Sequence, residues 1–140
     1  MLVSVKDRLD QPHIEELLGY AVFTDEKELE DVIRRYKTDD RWKLLGYSEE
    51  GRIIGIIGYE MVTPTILKLR HLAVDPPYRG LGYGRGMILE VLELERPAKI
   101  KAEVDEEAAD FFRNIGFEIV SLGERFPGIE RFECSFVTDF

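Results

Sequence analysis

The sequence predicts an α/β fold of the α+β kind, with about six or seven strands and about four helices. Three observations carry this expectation. Seven apolar stretches have the length and alternation of strands, four have apolar residues at helical spacing, and one strand-to-helix junction is filled with glycine. With 140 residues, a single domain over 1–140 is expected, large enough to bury roughly two-thirds of its unfolded surface.

Residues 2–5 form the first expected strand. Over 12–23, Ile14, Leu17, Leu18 and Ala21 fall at helical spacing. His13, near that helix start, reads as a surface residue, and Tyr20 and Phe23 as core or helix-contact residues. Thr24 is placed to N-cap a second helix whose stripe is Leu29, Val32, Ile33 and Tyr36. Residues 42–47 and 52–62 read as an antiparallel hairpin turned at Glu49-Glu50-Gly51. Its second arm is apolar on both faces from Ile53 to Tyr59, as in a central strand. Glu60 at its end either reaches solvent or aims into a cleft.

The next strand, 66–74, changes parity. Leu67 and Leu69 are odd, whereas Leu72 and Val74 are even. With a side-chain period of two, one face collects both sets only through an extra residue, so a β-bulge is expected near Arg70-His71. The alternative is a strand covered on both faces. After Pro97, Ile100, Ala102 and Val104 alternate with charged residues as a half-buried strand. Asp105 is placed to cap a helix over 106–115 bearing Ala108, Phe111, Phe112 and Ile115, with Gly116 as its stop. Residues 117–122 and 129–137 complete the pattern as an antiparallel pair around Pro127-Gly128.

Between the 66–74 strand and the helix carrying Met87, Ile88, Val91 and Leu92 lie Asp75-Pro76-Pro77 and four glycines at alternate positions, Gly80 to Gly86. Glycine permits positive φ and lets the backbone approach a ligand closely. The N–H groups of a helix's first turn then face any anion placed there. Arg79 and Arg85 flank the loop with charge suited to phosphate. The dinucleotide pattern G-x-G-x-x-G fails in both registers, and no Gly-Lys-Ser/Thr is present for a P-loop.

Arg79-Gly80-Leu81-Gly82-Tyr83-Gly84, preceded by His71-Leu72-Ala73-Val74-Asp75-Pro76, closely resembles the coenzyme A loop of the GNAT superfamily of N-acetyltransferases. Residues 109–117, Ala-Asp-Phe-Phe-Arg-Asn-Ile-Gly-Phe, resemble the second motif of that family. The resemblance covers essentially the whole chain and is strongest from Leu69 to Phe117. It implies a mixed, mostly antiparallel central sheet flanked by the helices, with the bulge in the strand before the loop. It also implies acetyl-CoA as co-substrate and no metal. Leu72, Ala73 and Val74 are then expected to pair with the pantetheine arm, while Arg79, Gly80, Leu81, Gly82, Tyr83, Gly84 and Arg85 hold the pyrophosphate. Two positions depart from the family: where it has the tyrosine thought to protonate the departing thiolate, this chain has Phe112, which has no proton to give, and Asn114 stands where the motif often has Lys or Arg.

The expected reaction is direct acetyl transfer to an amine, with Glu60, then Glu103, then His71 as candidates for the base. A non-catalytic acyl-CoA-binding module is the alternative that Phe112 suggests, and a general nucleotide-binding protein is disfavoured by the failed fingerprints. A formal net charge of −9 argues against nucleic acid or an anionic membrane as partner and suits a cationic small-molecule or peptide amine. A second copy of the chain is left open as a partner. Cys134 is the single cysteine, which leaves no internal disulfide and fits a reducing, cytoplasmic setting. Residues 1–10 lack the apolar core of a secretory leader, and no apolar run approaches the 18 or so residues of a membrane span.

Overall fold

The computed structural model describes residues 1–22 and 26–140. Phe23 and the proposed cap Thr24 lie outside the described residues. Among those described there are seven strands and four α-helices. The strands are β1 (Leu2–Ser4), β2 (Lys43–Glu49), β3 (Arg52–Thr63), β4 (Ile66–Val74), β5 (Lys99–Val104), β6 (Glu118–Phe126) and β7 (Ile129–Val137). The helices are α1 (Pro12–Ala21), α2 (Glu26–Thr38), α3 (Tyr83–Glu95) and α4 (Glu106–Asn114). The sheet order is β1-β2-β3-β4-β5-β7-β6. The β1–β2, β2–β3, β5–β7 and β6–β7 pairs are antiparallel and β4–β5 is parallel, which makes the sheet mixed.

The chain divides into two compact units. The first comprises Met1–Glu60 and His71–Glu95. Its β2–β3 hairpin turns on Glu50 (φ 51°) and Gly51 (φ 79°), the double left-handed step that matches strand twist in a two-residue loop. β3 is buried continuously from Ile53 to Tyr59, as its run of apolar residues predicts. Around it Val5, Ile14, Leu17, Leu18, Leu44 and Ile56 form the core, with Leu29, Val32 and Ile33 of α2 packed against it. Each such fully buried aliphatic side chain contributes on the order of 1.5–3 kcal/mol. Met87, Ile88, Val91 and Leu92 of α3 are buried at the spacing read from the sequence. The far end of α3 is tied to the hairpin by Glu95, which accepts from the Tyr59 hydroxyl at 2.6 Å and the Lys43 ammonium at 3.0 Å. Burial pushes the Glu95 carboxyl up, yet the bonds from Tyr59 and Lys43 outweigh it and hold it below its usual range. Burial, then the Glu95 bond, raises the Tyr59 phenol.

The second unit comprises Met61–Arg70 and Arg96–Phe140. Arg96 takes φ 47° just before Pro97 and breaks the chain out of α3. β4 pairs with β5 from Ile66↔Lys99 to Leu69↔Ala102, and the pairing ends there, immediately before Arg70-His71. Along β4 the buried residues Leu67, Leu69 and Ala73 share the odd side, while Leu72 and Val74 are half-buried on the even side. Asp105 caps α4 as expected, accepting from the Ala108 N–H at 2.9 Å, and Gly116 (φ 99°) ends it. The buried face of α4 is Ala109 and Phe112, one residue along from the expected Ala108. β6 runs to Phe126, four residues beyond the expected 122, through two register shifts against β7.

Tyr36 of α2 is fully buried, and its hydroxyl lies above Gly58 of β3, where a Cβ would fall 1.8 Å from it. Gly58→Ala should therefore cost about 1–3 kcal/mol by overpacking, and lower the melting temperature by roughly 3–12 °C, as read by thermal circular dichroism.

Candidate functional site

β4 delivers the chain to the glycine-rich segment through Asp75. Pro76 and Pro77 cannot extend the ladder, and the chain turns in a single 3-10 turn, Pro76–Tyr78. Gly80 (φ 76°) and Gly82 (φ 88°) then take the left-handed conformation, and a Cβ at either would meet no atom within 4 Å. A loop of this shape leaves room for close approach to its backbone. α3 begins directly afterwards at Tyr83, so Gly84 and Gly86 belong to its first turn rather than to the loop; the Gly86 N–H already bonds the Gly82 carbonyl at 2.9 Å. The loop is thus shorter than the glycine spacing suggests, and Tyr83, Gly84 and Arg85 supply helix N-terminal N–H groups. Tyr83 is seated between Tyr47 and Tyr78, with ring centroids 5.5 and 6.1 Å away.

Asp75 anchors the entry. Its N–H bonds the Ile54 carbonyl at 2.7 Å, and its carboxylate, 5% exposed as a residue, accepts from Arg52 at 3.2 Å. His13 of α1 stands 3.7 Å from the same carboxylate and donates from Nε2 to the Ile53 carbonyl at 2.7 Å. His13 is therefore a half-buried anchor, not the surface residue its position near a helix start suggested. Arg79 donates from Nε to the Val74 carbonyl at 2.8 Å, and its guanidinium lies 4.9 Å from the centre of the Tyr20 ring. Tyr20 is 47% exposed, so it contacts the loop arginine rather than the core. Its hydroxyl donates to Glu16 at 3.0 Å, and that bond, with some desolvation, raises the phenol while Arg79 pulls the other way.

The expected catalytic residues have separate surroundings. Glu60 is half-buried at the outer part of β3, and its charge supports the Arg41 guanidinium, which Asp39 raises first and most strongly. His71 accepts or donates at Nδ1 with the Tyr36 hydroxyl at 2.6 Å and packs near Trp42. In the second unit, Glu103 faces Arg131 at 3.6 Å and receives a bond from it at its backbone carbonyl. Phe112, 3% exposed, packs edge-on with Phe111 and tilted against Phe117, each at 5.1 Å. Burial pushes the Cys134 thiol up to about 11, so at neutral pH it is not a thiolate nucleophile. A cavity of about 700 Å³ in this unit is lined by Asp105, Glu106, Glu107, Asp110, Glu124 and Glu130, with Gly123, Gly128 and Ile129 completing the wall. No group of three metal-ligating side chains occurs among the described residues. His13, Tyr20 and Arg52 were not found from sequence, because each reaches the loop from a segment more than twenty residues away.

Asp75→Ala removes the acceptor shared by β3 and the loop entry and should cost about 1–3 kcal/mol. A lower melting temperature, with faster amide exchange at residues 75–82 than in the α3 core, is the expected result.

The family described as the acetyltransferase (GNAT) domain matches residues 40–119. An uncharacterized N-acetyltransferase from Bacillus methanolicus is 33% identical over 64 residues, covering 46% of this chain and 53% of that protein. The N-alpha-acetyltransferase RimI of Mycobacterium tuberculosis is 31% identical over 88 residues, covering 59% of this chain and 56% of that one. The chain thus spans about half the length of each of these relatives. In fold it is similar to a GNAT family acetyltransferase from Elizabethkingia anophelis solved with acetyl-CoA bound, with TM-score 0.73, 11% identity, and 99% and 97% of the two chains covered. Loop, strand order and family match agree, and the chain belongs to the GNAT superfamily of N-acetyltransferases.

Proposed function

We propose that this protein transfers the acetyl group of acetyl-CoA to an amine by direct attack within a ternary complex. The carrying observation is the pair of left-handed glycines opening onto the α3 N-terminus beside Arg79 and Arg85. In this reading the amides of 80–85 and the two arginines hold the pyrophosphate, and Leu72, Ala73 and Val74 run alongside the pantetheine arm. In the same reading a backbone N–H of β4 near Arg70-His71 donates to the thioester carbonyl. A buried, protonated Cys134 favours direct attack over a cysteine-bound acyl enzyme. The relative named for N-alpha acetylation supports an amine acceptor, small molecule or peptide, and the single unpaired cysteine suits the cytoplasm.

The amine must lose a proton before it attacks. At a pKa near 10.4 the free base costs about 4.6 kcal/mol at pH 7, so a general base is valuable. Glu60 ranks first, then Glu103, then His71; Arg41 lies within reach of the Glu60 charge, Arg131 stands beside Glu103 and Tyr36 bonds His71. Protonating the leaving thiolate matters less: a thiol of pKa about 8.5 lies only about 1.5 units above neutrality, roughly 2 kcal/mol. A chain with Phe112 in place of the usual tyrosine therefore turns over more slowly, with water serving as the proton source. The second reading, a module that binds acyl-CoA without turnover, rests on that same Phe112.

Acetyl-CoA at a hundredfold excess over its dissociation constant should stabilise the protein by about 2.7 kcal/mol and raise the melting temperature by roughly 6–10 °C. A shift with ATP or NAD but none with millimolar acetyl-CoA rejects the assignment. Release of free thiol during steady-state incubation with an amine library separates the enzyme from the binding module.

Phe112→Tyr places a hydroxyl where the family has its acid. The expected gain is about 3- to 30-fold in kcat, below the usual range for positioned acids because a thiolate leaves readily, with acetyl-CoA affinity nearly unchanged. A variant that melts lower and turns over no faster marks Phe112 as a core residue of its aromatic cluster, its hydroxyl buried at a cost of about 1–3 kcal/mol.

A further inference from the structure

We propose that Tyr20 of α1 is a positioning residue for cofactor binding, a stacking platform that holds the Arg79 guanidinium with its terminal edge toward the phosphates of acyl-CoA. This rests on the acetyl-CoA reading above. Two contacts of Arg79 carry it. The Arg79 guanidinium carbon stands over the Tyr20 ring, 4.9 Å from its centre, whereas hydrogen bonds to phosphate leave a guanidinium in its plane. Stacking and phosphate binding therefore use different parts of the same group and do not compete. The Nε donor is committed to the Val74 carbonyl at 2.8 Å, which restrains the plane of the group; the fork that binds phosphate is formed by its two terminal nitrogens.

The platform is itself held. The Tyr20 hydroxyl donates to Glu16 one helical turn back, at 3.0 Å. At the other end of the helix, His13 donates to the Ile53 carbonyl and stands 3.7 Å from Asp75. His13 and Tyr20 are seven residues apart, close to two turns, and so share one face of α1. Asp75 and Arg79 flank the 3-10 turn Pro76–Tyr78. One helix face thus touches both ends of the segment that opens the glycine loop. An arginine on an exposed loop without such a platform samples many rotamers and loses that freedom on binding. Here the ring and the Val74 carbonyl remove much of it beforehand.

The test is calorimetric titration of the full chain and the variants Y20A, Y20F, R79A and Y20A/R79A with acetyl-CoA, and with S-acetylpantetheine, which lacks the phosphates. Tyr20 is largely exposed, so each protein is first checked for a parental melting temperature. Tyr20→Ala should weaken acetyl-CoA binding about 2- to 5-fold, the range of an exposed cation–π contact. It should leave S-acetylpantetheine unaffected and have no further effect once Arg79 is alanine. Tyr20→Phe keeps the ring and should bind acetyl-CoA within about twofold of the parent. Equal losses with both ligands, or the same loss from Y20A in the R79A background, would overturn the platform while leaving acetyl-CoA binding intact. A parental chain that binds no acetyl-CoA overturns both this inference and the function on which it rests, and the parental titration alone distinguishes that outcome.

Discussion

Asp75 is a carboxylate at the edge of the core, and the placement of the candidate cofactor loop depends on it. A buried carboxylate is costly unless its lone pairs are satisfied. Here Arg52 of β3 donates to it, His13 of α1 stands beside it, and its own N–H is bonded to Ile54. The two prolines that follow leave the chain few ways to turn. Where Asp75 sits therefore sets where Gly80, Gly82 and the first turn of α3 lie.

The rigidity behind that point comes from β3. It is buried from end to end of its apolar run, and glycine at 55 and 58 lets neighbours approach where a side chain would block them. Met87 of α3 and the Ala73 carbonyl lie within about 3 Å of a Cβ built at Gly55, and the Tyr36 hydroxyl occupies the space over Gly58. Helix α3 is thus pressed on β3 near its start and tied through Glu95 to Tyr59 and Lys43 at its end. A helix whose N-terminus serves an anion benefits from both constraints, because its dipole acts only where the terminus is held.

Each candidate catalytic position has a polar neighbour. His71 is matched to a buried tyrosine and Glu103 to an arginine, and the Glu60 charge is felt at Arg41. Cys134 is removed from nucleophilic chemistry by burial. Phe112 is part of an aromatic cluster that includes Phe117, itself near Phe136. The residue that departs from the family motif thus also serves packing, and its substitution probes two roles at once.

Much of this protein was legible from its sequence because the signals are local. Strand β5 follows from the alternation of Ile100, Ala102 and Val104 with charged residues, and β4 and β7 from apolar stretches bounded by turn residues. The Asp105 cap and the Gly116 stop follow from helix-end chemistry, and the glycine loop from the order of strand, turn and helix. Where α3 begins was misjudged, since glycine spacing does not say which glycines remain helical; the bond from Gly86 to Gly82 decides it. The length of β6 was misjudged because its bulges break the alternation that marks a strand. His13, Tyr20 and Arg52 lie beyond any local signal. Their roles arise only when residues 13, 20, 52, 75 and 79 meet, and pairings across such separations are set by how the core closes rather than by spacing along the chain. The sequence by itself determined the family resemblance, most of the strands and helices, and the glycine loop. The tertiary structure alone decided which side chains hold that loop in place.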